Sequence, residues 1–413
     1  MNILLAKPPF ARLLGSTIYA TYPLGLMGVA SMLKAAGHDV SLYHDDVSNP
    51  APIPRGDAKL GQVSYSAAAL DDAIAVFSRT LDDMAPDVVG ISYTTSDVDA
   101  ARRMSAECRD RGIRTVAGGV HPSLLPDVED EFFDCIVVGE GDVGGDWAFD
   151  ANSSIRYTPT IPDGHDIPTA DRDCVIGGER YTSFLRGMVQ TQRGCPYSCA
   201  FCAAPTVFGT KVRTRDPGAV REEVESLGVP TGRIIDDSFA VVREHGLRIC
   251  EELSKVNFSW VCDMAVRDVD AELLDAMAGA GCTQINVGLE SAARYWRRLS
   301  GKDATLRGAN EVLTMAQARC VGVVVYFMIG WPGETQQDLF DTLFMARDLK
   351  DRGAIPCISI VTPYPGTKLW DMCDIDERIN WGEFMHQSGA MGFADVTPDV
   401  WADALHMANQ ING

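Results

Sequence analysis

The sequence predicts an α/β protein with two parallel sheets in tandem. Over residues 1–145, and again over 186–370, short apolar runs alternate with amphipathic segments, which is typical of parallel strands joined by helices. Between them, residues 146–185 are polar and rich in Pro and Gly, so this stretch is predicted to be a linker. The second domain has about six strand–helix units, as in a partial TIM barrel. Residues 371–413 are predicted to cap the barrel.

The first domain is predicted to be a Rossmann-like sheet of five strands. They are Ile3–Ala6, Val40–Tyr43, Val88–Ser92, Arg114–Ala117 and Cys135–Val138. Predicted helices at Leu24–Ala36, Asp71–Ala85 and Asp97–Arg111 are each followed directly by Gly or Pro, which end helices. Ligands of such sheets bind outside the carboxyl ends of the strands. The residues that follow each strand are therefore candidate binding residues.

The second domain is predicted to contain six further strands. They are Val189–Thr191, Arg233–Ile235, Phe258–Cys262, Thr283–Val287, Val323–Ile329 and Ile355–Val361. Asp216-Pro217 predicts a helix start, with Asp as the N-cap and Pro at the first helical position. Barrel enzymes keep their active sites at the carboxyl ends of these strands.

The composition favours a cytoplasmic protein that binds neither nucleic acid nor membranes. The formal net charge is −21 and the pI is about 4.7, whereas nucleic-acid binding needs Lys and Arg to displace counterions. The N-terminal residues MNILLAKPPF do not have the layout of a signal peptide. No apolar run reaches the roughly 18 residues of a membrane span. Twelve cysteines without a signal peptide suit a reducing compartment.

Three cysteines predict a metal centre in the barrel. Cys195, Cys199 and Cys202 lie within one short turn after the first barrel strand. Thiolates suit iron–sulfur clusters, zinc or Cu(I), and no fourth Cys or His lies nearby in the sequence to complete a tetrahedral zinc site. Three ligands leave one metal position open. The alternative is three buried structural thiols, which behave as small apolar groups.

With Phe201 before the last thiol, this segment resembles the CxxxCxΦC motif of the radical SAM enzymes. The resemblance implies that Cys195, Cys199 and Cys202 are catalytic and hold a [4Fe–4S] cluster. It also implies that the open iron binds S-adenosylmethionine (SAM), whose cleavage gives a 5′-deoxyadenosyl radical. That radical would abstract a hydrogen atom from the substrate.

Further barrel segments resemble the SAM-binding elements of the same family. Asp236 and Asp237 are expected at the methionine amino group, with an N-cap role as the alternative for one of them. The remaining residues assigned to SAM by this resemblance are Phe201, Gly288, Glu290, Ser291, Gly330 and Pro332.

The strand ends of the first domain resemble the cobalamin-binding domain that precedes many radical SAM enzymes. The resemblance assigns cobalamin contacts to Lys7, Ser92, Thr94, Gly118, Gly119, His121, Gly139, Glu140 and Gly141. The DxHxxG element that supplies a His to cobalt in many such domains is absent, since Lys7-Pro8-Pro9 follows the first strand. Cobalamin is therefore expected without a His on cobalt. His121 is expected to bond a corrin amide or a local carbonyl, with cobalt ligation as the alternative.

The resemblance covers about residues 1–370 and implies a cobalamin-dependent radical SAM enzyme. The predicted reaction is methylation of an unactivated carbon in a small metabolite or natural-product intermediate. The alternative is an oxidation, cyclisation or ring rearrangement without methyl transfer. Tyr364, in a Pro-Tyr-Pro-Gly-Thr element, and Arg267 are predicted substrate contacts. An external electron donor such as flavodoxin or ferredoxin is the expected partner. A non-enzymatic alternative is a cofactor-binding sensor that has lost catalysis.

Overall fold

A computed structural model describes residues 1–9, 22–49, 67–143, 146–149, 156–158, 167–301, 306–373, 375, 381 and 394–413. Two six-stranded sheets lie in this part of the chain, one in its N-terminal and one in its C-terminal part. All strand pairs in both sheets are parallel. The predicted α/β class with two parallel sheets in tandem is confirmed.

The strands of the N-terminal sheet are β1 (Asn2–Lys7), β2 (Asp39–His44), β3 (Val88–Ser92), β4 (Arg114–Gly118), β5 (Cys135–Val137) and β6 (Arg156–Tyr157). Their order in the sheet is β2-β1-β3-β4-β5-β6. The first five agree with the predicted strands to within about one residue at each end. β6 is absent from the prediction because two residues show no periodicity, and it lies in the segment interpreted as a linker.

Helices cover both faces of this sheet. They are α1 (Leu24–Ala35), α2 (Asp45–Ser48), α3 (Ala67–Met84), α4 (Val98–Arg109) and α5 (Val120–Leu124). Successive strand residues point to opposite faces, so Ile3 and Leu5 pack in the cluster that contains α1. Leu4 and Ala6 pack with α3 and α4 on the other face. The sheet is therefore buried on both sides, as a parallel sheet requires.

The segment before the barrel packs on the first sheet. Cys174, Val175 and Tyr181 belong to the core cluster of α1, and Val175 forms an isolated parallel bridge with Leu42 of β2. A short helix, α6 (Ser183–Arg186), then leads into the second sheet. The division into residues 1–145, 146–185, 186–370 and 371–413 stays a prediction.

The C-terminal part of the chain forms a partial barrel. Its six sheet strands are β7 (Met188–Val189), β10 (Thr231–Ile234), β11 (Ser259–Ala265), β12 (Cys282–Glu290), β13 (Gly322–Ile329) and β14 (Ile355–Ile360). A separate two-stranded ribbon is formed by β8 (Gln192–Arg193) and β9 (Arg213–Thr214). The sheet order is β14-β13-β12-β11-β10-β7. The barrel helices are α7 (Ala204–Phe208), α8 (Pro217–Leu227), α9 (Arg243–Leu253), α10 (Ala271–Gly279), α11 (Arg294–Leu299), α12 (Leu306–Gln317), α13 (Gln336–Asp351) and α14 (Lys368–Met372).

Two helix ends show how local sequence sets this architecture. Helix α8 begins as predicted, since Asp216 caps it by accepting a hydrogen bond from the Ala219 amide at 2.9 Å. A last helix, α15 (Pro398–Asn412), packs Ala404 and Ala408 into the barrel core. Its Asn412 side chain pairs with both backbone groups of Ile358, at 2.8 and 2.9 Å, and so covers the edge strand β14.

Among the described residues, no helix combines the length and apolar character needed to cross a membrane.

Candidate active site between the two sheets

A cavity of about 470 Å³ lies where the carboxyl ends of strands from both sheets meet. From the first sheet it is lined by the predicted residues Lys7, Ser92, Thr94, Gly118, Gly119, Gly139, Glu140 and Gly141. From the barrel side it is lined by Gln190 after β7, Arg193 at the end of β8 and Asp237 after β10. Most predicted cobalamin contacts are thus brought together at one cavity.

Two adjacent glycines at the end of β4 have different surroundings. A Cβ placed on Gly118 would meet no atom within 4 Å, so this position faces open space in the cavity. A Cβ on Gly119 would lie 2.7 Å from the Tyr93 carbonyl, and Gly119 has φ +98°. Gly118 therefore leaves room for a ligand, whereas Gly119 allows close packing of the protein's own backbone.

Lys7 and Thr94 are held at the rim by one buried carboxylate. The Lys7 ammonium lies 2.8 Å from Asp97, and the Thr94 hydroxyl donates to the same carboxylate at 2.9 Å. The Asp97 side chain is nearly inaccessible to solvent. These contacts fix the two side chains before any ligand binds.

The structure corrects the prediction for His121. Its side chain is fully buried and does not line the cavity. One ring nitrogen lies 3.4 Å from Glu129 and the other 3.3 Å from the Thr95 hydroxyl, while Trp381 packs edge-on against the ring at 4.9 Å. The first turn of α5 carries the ring away from the cavity. The His121 side chain therefore packs among Glu129, Thr95 and Trp381 inside the protein. Neither a corrin contact nor cobalt ligation fits this position.

A buried charge network joins the two sheets, and the sequence did not predict it. The Arg193 guanidinium, at the end of β8, contacts Asp142 with both terminal nitrogens at 2.9 Å and contacts Glu140 at 2.6 Å. Arg213 of β9 pairs with the other oxygen of Glu140. Glu140 was predicted to contact cobalamin, but both of its oxygens are used by these arginines. An Arg two residues before the cysteine motif and an acidic loop after β5 are the sequence signals for this network.

The three cysteines lie in the loop that follows Arg193. Cys195 is buried, and Cys199 and Cys202 are half-buried. In the described part of the chain, no three Cys, His, Asp or Glu side chains converge closely enough to ligate one ion. The three thiols share one short loop, and burial, with smaller effects of Cys199 and Cys195, raises the pKa of Cys202 to about 11. The donor set on this loop fits a soft metal centre.

Contacts from several elements hold this loop in place. Gly194, with φ +96°, approaches the Lys211 carbonyl so closely that a Cβ would lie 2.6 Å from it. The Gly194 amide donates to Asp237 at 3.1 Å. The Leu369 amide donates to the Ala200 carbonyl at 2.8 Å, which joins the loop to α14. The barrel framework therefore positions the cysteine loop.

The two neighbouring aspartates predicted at the methionine amino group differ in their surroundings. Asp236 accepts hydrogen bonds from the Thr191 amide at 2.7 Å, the Thr191 hydroxyl at 2.5 Å and the Gln192 amide at 3.0 Å. Burial outweighs these bonds and raises the pKa of Asp236 to about 7. Its oxygens are thus used to hold the β7–β8 turn, which disagrees with a direct SAM contact. Asp237 faces the cavity.

The other SAM-motif residues lie at the ends of β12 and β13. The ladder between these strands shifts register between Gly288 and Glu290, and Glu290 adopts φ +71°. The Ser291 hydroxyl lies 3.1 Å from that of Thr342. The Gly330 amide donates to Glu334 at 2.6 Å, in the turn that contains Pro332. These elements are adjacent, as the predicted motifs require, but their ligand contacts stay predictions.

The two predicted substrate contacts lie in different places. Tyr364, after β14, is half-buried, and burial followed by the nearby Asp97 carboxylate raises its pKa to about 12. Two residues later, a Cβ on Gly366 would lie 3.1 Å from the Leu124 side chain of α5, so Tyr364 lies close to where the two domains meet. Arg267 is exposed, donates to the Gly301 carbonyl at 2.6 Å and lies 4.4 Å above the Tyr197 ring. It is on the outer side of the cysteine loop and does not line the cavity.

Two family profiles match the chain on either side of this cavity. The profile of the Radical SAM superfamily matches residues 189–346, and that of the B12 binding domain matches residues 13–144. The chain belongs to the cobalamin-dependent radical SAM family. It is therefore an enzyme.

Individual relatives of this radical SAM enzyme agree with the family match. An uncharacterized methyltransferase of Pyrococcus horikoshii is 26% identical over 99% of this chain and 91% of its own. The anaerobic magnesium-protoporphyrin IX monomethyl ester cyclase of Rubrivivax gelatinosus is 26% identical over 95% of this chain and 72% of its own. The solved methyltransferase TsrM from Kitasatospora setae matches with TM-score 0.68 at 17% identity, over 89% of this chain and 77% of that chain. This last likeness concerns the fold.

The cofactors of this radical SAM enzyme are a [4Fe–4S] cluster, SAM and cobalamin. The chemistry of the donors fits the cluster, because three thiols lie on one short loop and thiolates are the usual ligands of iron–sulfur clusters. At its glycine edge the cavity leaves room for a ligand to approach the backbone, since a Cβ on Gly118 would meet no atom within 4 Å.

Proposed function

We propose that this protein is a methyltransferase that transfers a methyl group to a carbon atom of a small molecule. The observation that carries the proposal is the cavity lined by strand ends of both sheets. A ligand there would lie between the cobalamin-type sheet and Arg193, Val207 and Phe208, which flank the loop with the three thiols in the sequence. Reaction between groups held in this way gains rate from proximity and orientation. The near full-length likeness to an uncharacterized methyltransferase supports the same conclusion.

In this proposal Cys195, Cys199 and Cys202 hold the cluster. Asp237, Glu290, Ser291 and the backbone at Gly330 and Pro332 would contact SAM. Lys7, Ser92, Thr94, Gly118, Gly139 and Gly141 would contact cobalamin. When bound, the cluster and SAM supply hydrogen-atom abstraction and cobalamin supplies methyl transfer.

The protein's own part is to hold both halves of the site together and to keep water out. Arg193 joins the loop after β5 to the strand that leads into the cysteine loop, so each half fixes the other. Apolar side chains such as Leu5, Val116 and Phe208 line the cavity. Exclusion of water protects a reactive radical from side reactions.

The substrate is proposed to enter beside Tyr364, which lies close to where the two domains meet. Tyr364 itself does not line the cavity, so this entry point is proposed from its place beside the first domain. The TsrM structure solved with tryptophan and a SAM analogue gives a small-molecule precedent in the same fold. Arg267 remains a weaker candidate for a substrate contact, because its side chain lies on the outer side of the cysteine loop.

A second outcome, cyclisation without methyl transfer, is favoured by one observation. The Rubrivivax cyclase is 26% identical over 95% of this chain, about as similar as the Pyrococcus methyltransferase. Both outcomes would use the same cofactors and the same cavity. They differ in the product, because methyl transfer adds a carbon and cyclisation removes hydrogen.

The test is anaerobic reconstitution with iron, sulfide and hydroxocobalamin, followed by reaction with SAM that carries a deuterated methyl group. We expect iron and cobalamin to bind, and 5′-deoxyadenosine and S-adenosylhomocysteine to form. A panel of small metabolites is then searched by mass spectrometry for a product with the labelled methyl group. A product that has lost hydrogen and carries no label would establish the cyclisation instead.

Cys199→Ala is the matched control. It is expected to retain the fold and cobalamin while losing 5′-deoxyadenosine formation. If Cys199→Ala still cleaves SAM, the assignment of the cluster to these thiols is wrong. If iron binds without cobalamin, the proposal that cobalamin transfers the methyl group has to be withdrawn.

A further inference from the structure

A row of four aromatic rings runs from the protein surface to the cysteine loop. Tyr295 is 63% exposed, and its ring lies 4.6 Å from that of Trp296, measured between centroids. Trp296 stacks on Trp331 at 5.7 Å, and Trp331 meets Phe201 edge-on at 6.2 Å. Phe201 immediately precedes Cys202. The row therefore connects solvent with the proposed cluster site through contacting side chains.

Packing alone accounts for the inner part of this row. Trp296 and Trp331 are buried and form a small core with Val361 and Leu369, which Phe201 borders. Tyr295 is different, because a large aromatic side chain is placed on the outside of a six-residue helix, α11, directly above that core. This exposed end is the feature that points to a partner.

The surface around Tyr295 is positively charged. Arg294 and Arg298 flank Tyr295 on α11, and both are exposed. Lys368 is also exposed and begins α14. The next residue, Leu369, packs in the same small core as Trp296 of α11 and donates a backbone hydrogen bond to Ala200 in the cysteine loop. We call Arg294, Tyr295, Arg298 and Lys368 the α11 surface.

In the part of the chain that the structure describes, no carboxylate forms an ion pair with the cations of the α11 surface. Within the described ranges, Arg294, Arg298 and Lys368 form no ion pair, although exposed arginines elsewhere, such as Arg103 and Arg243, do. Among the described residues, the carboxylates nearest in sequence are Glu290, which is buried four residues before Arg294, and Asp371, which is exposed on α14. In a chain of formal net charge −21, this local excess of positive charge would attract an acidic partner.

We propose that the α11 surface docks a small acidic electron carrier of the flavin type. The aromatic row would then carry one electron from this carrier to the cluster. The proposal rests on the proposed function, because it places the cluster on Cys195, Cys199 and Cys202. One electron leaves the reduced carrier and one enters the oxidised cluster, and no bond or proton is transferred. The rings serve as a closely packed medium for tunnelling, and none of them is itself reduced.

The first experiment measures binding of oxidised flavodoxin to the protein without its cofactors, at low and at physiological salt. Arg294→Glu/Arg298→Glu is compared with Arg79→Glu/Arg248→Glu, which makes the same charge change at exposed positions on α3 and α9. We expect the α11 variant to weaken binding by about tenfold or more, and added salt to weaken wild-type binding. Equal binding by the two variants would overturn the docking surface. Tighter binding of ferredoxin than of flavodoxin to the wild-type protein would overturn the choice of a flavin carrier.

The second experiment follows reduction of the reconstituted cluster by stopped-flow spectroscopy. With flavodoxin hydroquinone, Arg294→Glu/Arg298→Glu is expected to slow cluster reduction, whereas dithionite should reduce all variants at the wild-type rate. Tyr295→Ser should bind flavodoxin normally but transfer the electron several-fold more slowly than Tyr295→Phe, which keeps the ring. Equal rates for these two variants would exclude the aromatic row as the route.

The outcomes separate this proposal from the proposed function. If dithionite supports product formation but the α11 variant binds flavodoxin as well as the control variant does, the proposed function stands and the docking proposal fails. If no cluster assembles on the three thiols, the function fails. The binding comparison on the protein without cofactors still decides whether an acidic carrier uses this surface.

Discussion

Arg193 has its guanidinium shared between two acidic side chains of the opposite domain. The Arg193 side chain is only 8% exposed, and the side chains of Glu140 and Asp142 are 0% and 5% exposed. Removing one partner from a buried ion pair leaves an uncompensated charge, whereas an exposed pair is largely screened by water. A buried ion pair and an exposed ion pair of the same type therefore contribute very different amounts to the stability of this protein.

Arg193→Met is expected to lower the free energy of unfolding by about 3–5 kcal/mol, because Asp142 would keep a buried charge without its partner. Arg103→Met removes an exposed pair with Asp71 and should cost about 0–1 kcal/mol. Urea denaturation of both variants measures the difference. Similar losses for the two variants would show that the network does not behave as a buried pair.

Glu334 gives a pH prediction at the same scale. Burial raises the pKa of this carboxyl from 4.5 to about 8, and the amides of Gly330 and Trp331 only partly oppose the shift. The folded state then binds a proton that the unfolded state releases, so this contribution to stability falls as pH rises from about 4.5 to 8. Above that range the folded protein carries the full cost of a buried charge.

Glu334→Gln should therefore gain stability relative to wild type as pH rises, by at most about 1.4 kcal/mol per pH unit within this window. The uncharged Gln amide changes the free energy of unfolding only by an amount that does not depend on pH. Urea denaturation between pH 5 and 9, with the exposed Glu244→Gln as control, measures the slope. Parallel curves for wild type and Glu334→Gln would contradict a raised pKa.

At the scale of single elements, the turn between β4 and α5 combines a ligand-facing and a backbone-facing glycine. Gly118 ends the strand beside open cavity, and Gly119 turns the chain against β3. The positive φ of Gly119 starts α5 in a direction that buries His121 behind the sheet. One glycine pair thus decides which side chains reach the cavity.

The two glycines should respond differently to the same substitution. Gly118→Ala is expected to fold normally and to weaken hydroxocobalamin binding, because the added methyl group projects into the cavity. Gly119→Ala should lose about 1–3 kcal/mol of stability from backbone conformation alone, with further loss from the contact with the Tyr93 carbonyl. Optical titration with hydroxocobalamin and urea denaturation measure the two effects. A reversed pattern would contradict the assignment of Gly118 to the ligand side.

At the scale of the whole molecule, the cavity belongs to neither sheet alone. A ligand that contacts both sides binds the assembled protein and not the separated halves, so its binding free energy stabilises both. Arg193 and Arg213 join the halves beneath this cavity. Cobalamin is therefore expected to act as a third link between the domains.

Hydroxocobalamin should slow amide hydrogen exchange on both sides of the cavity. Protection is expected after β3 and β4, and also around Gln190 and at Val207 and Phe208 of the barrel side. Hydrogen exchange with mass spectrometry, with and without hydroxocobalamin, tests this. Protection limited to the N-terminal sheet would show that the ligand does not span the two domains.

The sequence was sufficient for features that depend on neighbouring residues. Strands such as β3 and helix starts such as Asp216-Pro217 were predicted correctly, because periodicity and capping are local. The spacing of the three cysteines predicted a metal loop for the same reason. Gly118, Ser92 and Lys7 were placed at the cavity because parallel strands end at one edge.

The remaining features were decided by tertiary structure. His121 follows a strand end like its neighbours, yet the turn at Gly119 buries it against Glu129, 3.4 Å away. Asp236 and Asp237 are adjacent in sequence, but only Asp237 faces the cavity. The pairing of Arg193 with Glu140 and Asp142 spans more than 50 residues.

The sequence by itself therefore determined the two sheets, the cysteine loop and the family, because these depend on local periodicity and spacing. Only the tertiary structure decided which polar side chains face the cavity and which hold the fold together. The physical reason is that a charge or hydrogen-bonding group takes its role from the partners that burial leaves within reach. Residues distant in sequence supply those partners.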